Sequence, residues 1–264
     1  MGGAVFRRTL GDSWRGILGW GLALAALAFI VISFYPTISM FPELSNIIES
    51  MPPFMKAMVG DIEDFTSPEG FLATKLFTSM PIILAVYGII SGVAAVAGEE
   101  NRGTMDLLMS APVARWRVIL EKFAAFVVSV LGILAIMYVG VVVGVLVTAE
   151  IETPPGRLLE ATLNLVPITL TFGAFTFFLS AALPSRMPAG PIAAAVVVAT
   201  YAIYLFGELS SVVASVQWIS PFYYYGNSTL IDGVVWGKVV VLVVVSAVLV
   251  LLSMVSFERR DLTV

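Results

Sequence analysis

The sequence predicts an all-α integral membrane protein that crosses the bilayer six times, with both termini in the cytoplasm. Composition is the first reason: 59% of the 264 residues are hydrophobic and 12% are charged, where a soluble domain carries about a quarter charged. The second is the presence of six uncharged runs, at 16–35, 76–98, 123–148, 161–183, 187–207 and 239–257. A hydrocarbon core about 30 Å thick needs roughly 20 helical residues, and continuous apolar runs point to helices rather than to alternating barrel strands. The third is the placement of basic residues. With the N-terminus inside, Arg7, Arg8, Arg15, Arg102, Arg115, Arg117, Lys122, Arg186, Arg259 and Arg260 fall on the cytoplasmic side, and only Lys56, Lys75, Arg157 and Lys238 fall outside. That asymmetry follows the positive-inside rule.

The first run follows Arg7 and Arg8 and continues unbroken through Phe34, which favours a retained span over a cleaved signal peptide. The outer connection 36–75 is acidic and punctuated by Pro42, Pro52, Pro53 and Pro68. Thr66 or Ser67, ahead of Pro68 and Glu69, reads as a helix start leading into the second span. Pro81 is expected to kink that span or to divide an interfacial turn from its membrane part. Gly88 with Gly92, and Gly140 with Gly144, form small-xxx-small pairs that let helix backbones approach closely.

The fourth span carries polar residues, among them Thr162, Asn164, Thr169, Thr171, Thr176 and Ser180, together with Pro167. Asn164, Thr169, Thr171 and Thr176 are candidates for lining a substrate path. The competing reading makes them hydrogen bonds between helices, with threonines satisfying carbonyls that Pro167 frees. The outer segment 208–238 is rich in aromatics, including Trp218, Phe222, Tyr223, Tyr224, Tyr225 and Trp236. It reads either as a headgroup-level belt or as a hairpin dipping into the membrane to shield the outer mouth.

Several function classes are excluded. The chain has no Cys and no His, which removes disulfides, thiolate chemistry and zinc sites built on those ligands. The scattered basic residues argue against nucleic acid as a partner. None of the six runs holds Asp, Glu, Lys or Arg, which counts against ion-coupled carriers. No phosphate-binding loop is present: Gly233–Lys238 is one residue short of that spacing, and no Ser or Thr follows its Lys. The chain therefore carries no cofactor site of its own, and no internal repeat divides what reads as one domain over 1–264.

The informative stretch is GEENRGTMDLLMSAPVARWRVILEK, Gly98–Lys122, between spans two and three. Thr104 starts a short helix, with Asp106 in its first turn to complement the dipole. Leu107 and Leu108 give it apolar bulk, and Pro112 ends it. Flanked by the acidic pair Glu99 and Glu100, with Arg102, and by the basic Arg115 and Arg117, such a helix suits docking into a soluble partner. A membrane-surface turn held by lipid headgroups is the alternative.

This segment resembles the intracellular loop of ABC-2 type transporter permeases. Glu99, Glu100, Gly103, Thr104, Leu108, Pro112, Val113, Arg115 and Lys122 occupy the family's pattern, and Ala114 departs from it where Ser or Thr is preferred. Phe6–Trp20 resembles the family's amphipathic helix along the inner membrane face, bringing in Arg7, Arg8, Asp12 and Trp14. FERRDL (Phe257–Leu262) and the SPFYYY stretch (Ser220–Tyr225) also fit. The resemblance implies a permease subunit of an ATP-driven exporter in the plasma membrane of a bacterium or archaeon. It implies pairing with a second copy or a homologous permease and with two separate ABC ATPase subunits, which hold the ATP and Mg. By the same resemblance Glu99, Glu100, Gly103, Thr104, Leu107, Leu108 and Arg115 form the coupling surface, with Arg7, Arg8 and Asp12 nearby. Two rivals stand beside it: a scaffold or sensor retaining the permease fold, and a membrane enzyme using Glu99 and Glu100. The second is weakened because neighbouring helix positions point about 100° apart. The cargo is left open by the sequence.

Overall fold

The structure, a computed structural model, describes residues 3–36, 52, 67–95, 114–148, 151–183, 189–207, 209–226 and 229–259. Among these residues, six helices are long and apolar enough to cross a membrane, and there is no strand. The first is α1 (Ala4–Ser33). The second span, Pro68–Ala95, is composite: α2 (Pro68–Phe71), a π-helix at Leu72–Phe77, and α3 (Met80–Ala95). Then come α4 (Arg115–Thr148), α5 (Pro155–Ala182) and α6 (Ala189–Gly207). Three short helices, α7 (Ser211–Ala214), α8 (Pro221–Tyr225) and α9 (Thr229–Asp232), precede the last span, α10 (Trp236–Arg259).

Two boundaries differ from the sequence expectation. The separate amphipathic helix expected over Phe6–Trp20 does not stand apart from the first span; α1 runs through both without interruption. No proline lies between Ala4 and Ser33, and a glycine inside a helix costs only about 1 kcal/mol, too little to break it at Gly11, Gly16 or Gly19. The third span starts at Arg115 instead of Phe123, so its first two turns carry Arg115, Arg117, Glu121 and Lys122. Hydropathy marks where side chains change character, whereas helical hydrogen bonding continues until a cap or a proline stops it.

Between spans the packing relies on small residues. A Cβ on Gly140 of α4 would lie 2.6 Å from the Cα of Ala25, so α1 and α4 touch backbone to backbone there. Gly21 on α1 meets Ile136, and Gly144 meets Ile32, along the same seam. Across the bundle, Gly88 faces the backbone of Gly173, and a Cβ on Gly92 would lie 2.6 Å from Thr176. Both predicted glycine pairs thus sit at helix contacts, where van der Waals packing drives association in lipid. The centre of the bundle is α5, with 67% of its apolar window buried against 17% for α6 and 22% for α1 and α10.

The second span starts as the sequence anticipated. Ser67 is its N-cap, its hydroxyl accepting from the Gly70 N–H at 3.1 Å, with Pro68 at the first helical position. The break falls one turn ahead of Pro81, at Thr78 and Ser79. Proline at 81 has no N–H to give the carbonyl of Phe77, and the hydroxyl of Tyr225 donates to that carbonyl at 3.0 Å instead.

The segment after α6 turns back into the bundle. The Ser220 hydroxyl donates to the Thr200 carbonyl at 2.8 Å, and Thr200 lies about 10 Å inside the end of α6 at 1.5 Å per residue. The Gln217 amide donates to the Tyr204 carbonyl at 2.8 Å, in space left by the missing side chain of Gly207. Phe222 is buried, with ring centroids 5.2 Å from those of Phe172 and Tyr201. Phe222 and Tyr225 thus pack into the bundle, while Trp218 and Trp236 remain 59% and 72% exposed.

Candidate functional site

One end of the bundle gathers the start of α1, the end of α3, the start of α4 and the far ends of α5 and α10. Arg7, Arg8, Arg15, Arg115, Arg117, Lys122 and Arg259 lie toward it, whereas Lys75, Arg157 and Lys238 lie toward the other. Two charged side chains organise this basic end. The Gly3 cap of α1 supplies no side chain, so the first N–H groups of the helix need an outside acceptor. The backbone N–H groups of Gly3 and Phe6 each donate to the Glu121 carboxylate at 3.1 Å, and Arg117 holds the same carboxylate at 2.9 Å. Negative charge at a helix N-terminus is favoured by the helix dipole. One residue on, the Lys122 ammonium, 4% exposed, donates to the carbonyl of Ala95 at 2.6 Å. A cation at the C-terminal end of α3 is the converse arrangement.

Between these ties lies a cavity of about 280 Å³, lined by α1, α3, α4 and α5. Thr9, Asp12 and Ser13 come from α1, Tyr87 and Ser91 from α3, Lys122, Phe126 and Ser129 from α4, and Phe177 from α5. The aromatic wall is continuous: Tyr87 stacks on Phe126 at 5.9 Å, Phe126 meets Phe177 at 5.9 Å, and Phe123 meets Phe177 edge-on at 5.5 Å. Gly173 makes this possible, because a Cβ there would run into the Phe126 ring. Ser129 and Ser13 donate to carbonyls one turn back, at 2.8 and 2.7 Å, leaving their oxygens able to accept. A concave site with aromatic walls and a few convergent polar groups suits a small organic ligand.

The sequence-predicted residues divide. Of the inner-face set, Asp12 reaches the cavity, while Arg7, Arg8 and Trp14 stand exposed on the outer surface of α1, Trp14 under the guanidinium of Arg15 at 5.4 Å. Of the expected coupling residues, Arg115 begins α4. Glu99, Glu100, Arg102, Gly103, Thr104, Asp106, Leu107, Leu108 and Pro112 lie outside the described residues. Thr169, Thr171 and Thr176 are buried among helices, and no cavity described above includes them. Each donates to the carbonyl one turn back, to Leu165, Pro167 and Phe172. None takes the carbonyl of Leu163, the one that Pro167 leaves without its donor. Thr171 also reaches α10, at the Leu242 carbonyl and the Ser246 hydroxyl. Asn164 donates to the Tyr225 carbonyl and the Thr229 hydroxyl, both at 2.8 Å, and borders a smaller cavity at the opposite end with Glu160 and Trp236.

Tyr87, Ser91, Phe126, Ser129 and Phe177 carry the cavity without having been singled out in the sequence. The signal that marks them is a hydroxyl one turn from an aromatic inside an apolar run, at Tyr87 with Ser91 and at Phe126 with Ser129.

A multi-pass helical bundle with a ligand-sized cavity at one end and a folded-back hairpin at the other is the architecture of a membrane permease. The family profile described as "Multidrug efflux system permease Rv1217c, C-terminal domain" matches residues 12–258, and the chain belongs to that family. No curated protein matches it.

Proposed function

We propose that the chain is the transmembrane subunit of an ABC-2 type, ATP-driven efflux transporter in the plasma membrane of a bacterium or archaeon. In this reading both termini and the basic end of the bundle face the cytoplasm, as the positive-inside rule requires. A second permease, identical or homologous, completes the pathway, and two ABC ATPase subunits supply ATP hydrolysis with Mg. Small organic molecules are the cargo, in keeping with the multidrug efflux function that the family's name carries.

One observation carries the proposal beyond the family match. The Glu99–Arg115 segment, which resembles a coupling loop, joins α3 to α4 at the end where the cavity lies, and Ala95 and Lys122, linked at 2.6 Å, stand on either side of that segment and both line the cavity. A partner pushing on the segment moves α3 against α4 and so changes the cavity directly.

The test is assembly and transport. The detergent-solubilised chain is expected to co-purify with an ABC ATPase encoded beside it, and vesicles holding both are expected to expel cargo on ATP addition. Replacing Leu107 and Leu108 by Asp should abolish association or transport while leaving insertion intact. An ATPase that never associates overturns the reading, and association without efflux favours a sensor or scaffold.

A further inference from the structure

The chemistry of the cavity at the basic end selects a class of ligand. Among the described residues two charged groups line it, Asp12 and Lys122. They are not equivalent. The Lys122 ammonium is buried and donates to the Ala95 carbonyl at 2.6 Å, at the negative end of the α3 dipole. Its charge is directed into a helix terminus. The Asp12 carboxylate is exposed and makes no ion pair with any described residue, although Arg8 stands one turn away. The charge left for a ligand is therefore negative.

Neutral groups point the same way. Tyr87, Phe126 and Phe177 present aromatic rings, whose faces attract cations. Ser13 spends its proton on a carbonyl of its own helix and offers its oxygen as an acceptor, as Ser129 does beside the Tyr87 hydroxyl that shares it. Carboxylate, ring faces and hydroxyl oxygens all favour a positive centre carried on an apolar body. At about 280 Å³ the volume sits at the lower end of ligand pockets, enough for one or two fused or linked rings.

We propose that this cavity binds a lipophilic organic cation, with the positive centre at Asp12 and the apolar body against Tyr87, Phe126 and Phe177. The inference deepens the permease reading and rests on it, since it names the class of cargo taken up at the cytoplasmic end.

The test uses the full chain in phosphatidylcholine nanodiscs and a fluorescent dimethylaminostyryl-N-methylpyridinium as the cation. Saturable anisotropy above that of empty nanodiscs is expected. Asp12→Asn should weaken binding about tenfold, the loss of one charge-assisted contact. Phe126→Leu, which keeps an apolar side chain and removes the ring, should weaken it about threefold. An anilinonaphthalene sulfonate should not displace the dye. Unchanged affinity in Asp12→Asn overturns the inference, as does displacement by the sulfonate at equal concentration. Wild-type association with the ATPase is read separately: if it persists while the dye fails to bind, the cation assignment falls and the permease reading stands. If the dye binds but no ATPase ever associates, the permease reading falls, and with it the cavity's role as a cargo site.

Discussion

At the basic end of the bundle, charged side chains tie helix termini together: Glu121 caps α1 and Lys122 caps the end of α3. At the opposite end most ties are neutral, made by Tyr225, Asn164, Ser220 and Gln217 to backbone carbonyls around the buried ring of Phe222, beside one from the Thr153 hydroxyl to the Glu69 carboxylate at 3.0 Å. The difference has a physical consequence. The Glu121 tie lies near water and can be exchanged for hydration at little net cost, whereas a buried bond, the Lys122 tie included, leaves an unsatisfied group when it breaks. The first kind of end can rearrange around a cavity. The second kind stays shut until something displaces it as a unit.

Removing the ring at the centre of the shut end should have the largest effect. Phe222→Ala is expected to destabilise the protein by about 3 kcal/mol, by analogy with large-to-small core changes. Since the chain has no cysteine, labelling with an impermeant maleimide gives a clean readout. Ile168→Cys, fully buried on α5 one turn from Phe172, should label only when Phe222 is also truncated. Ser91→Cys in the cavity should label without it. Equal labelling of Ile168→Cys in both backgrounds breaks the contrast between the ends.

A smaller effect sharpens the contrast. Tyr225→Phe strands the Phe77 carbonyl and should cost about 1–3 kcal/mol in thermal unfolding. Pro81→Ala restores the N–H that Tyr225 replaces, so the cost of Tyr225→Phe should shrink in that background. Additive effects in this double-mutant cycle would remove the link between Pro81 and Tyr225.

The smallest effect belongs to the basic end. Glu121→Gln keeps one acceptor and loses the charge at the start of α1, a change of about 1 kcal/mol or less. It should speed hydrogen exchange in the first turn of α1 without shifting the global melting temperature. A global shift comparable to that of Tyr225→Phe would mean that the charged ties are as costly to break as the neutral ones.

Much of this was readable in the chain. Span number, the Ser67 start, the break before Pro81 and the contact role of Gly88, Gly92, Gly140 and Gly144 all follow from local chemistry. The cavity was readable only through Asp12 and Lys122, charges at the edges of apolar runs. An aromatic such as Phe126 or Phe177 inside a span has the same hydropathy whether it faces lipid or a cavity, so the sequence pattern did not separate them. The threonines of α5 left two readings open for the related reason that a hydroxyl satisfied by its own helix looks like one that lines a path.

By itself the sequence determined the helices, because bilayer thickness and the demand for internal hydrogen bonding act on each span separately. Tertiary structure alone decided which groups meet across the chain. Glu121 caps a helix whose N–H donors lie 118 and 115 residues away. Lys122 reaches a carbonyl 27 residues back, and Tyr225 reaches one 148 residues back. Such pairs leave no periodic trace, since their partners come together only when whole helices pack, and packing is set by the small residues that let one backbone approach another.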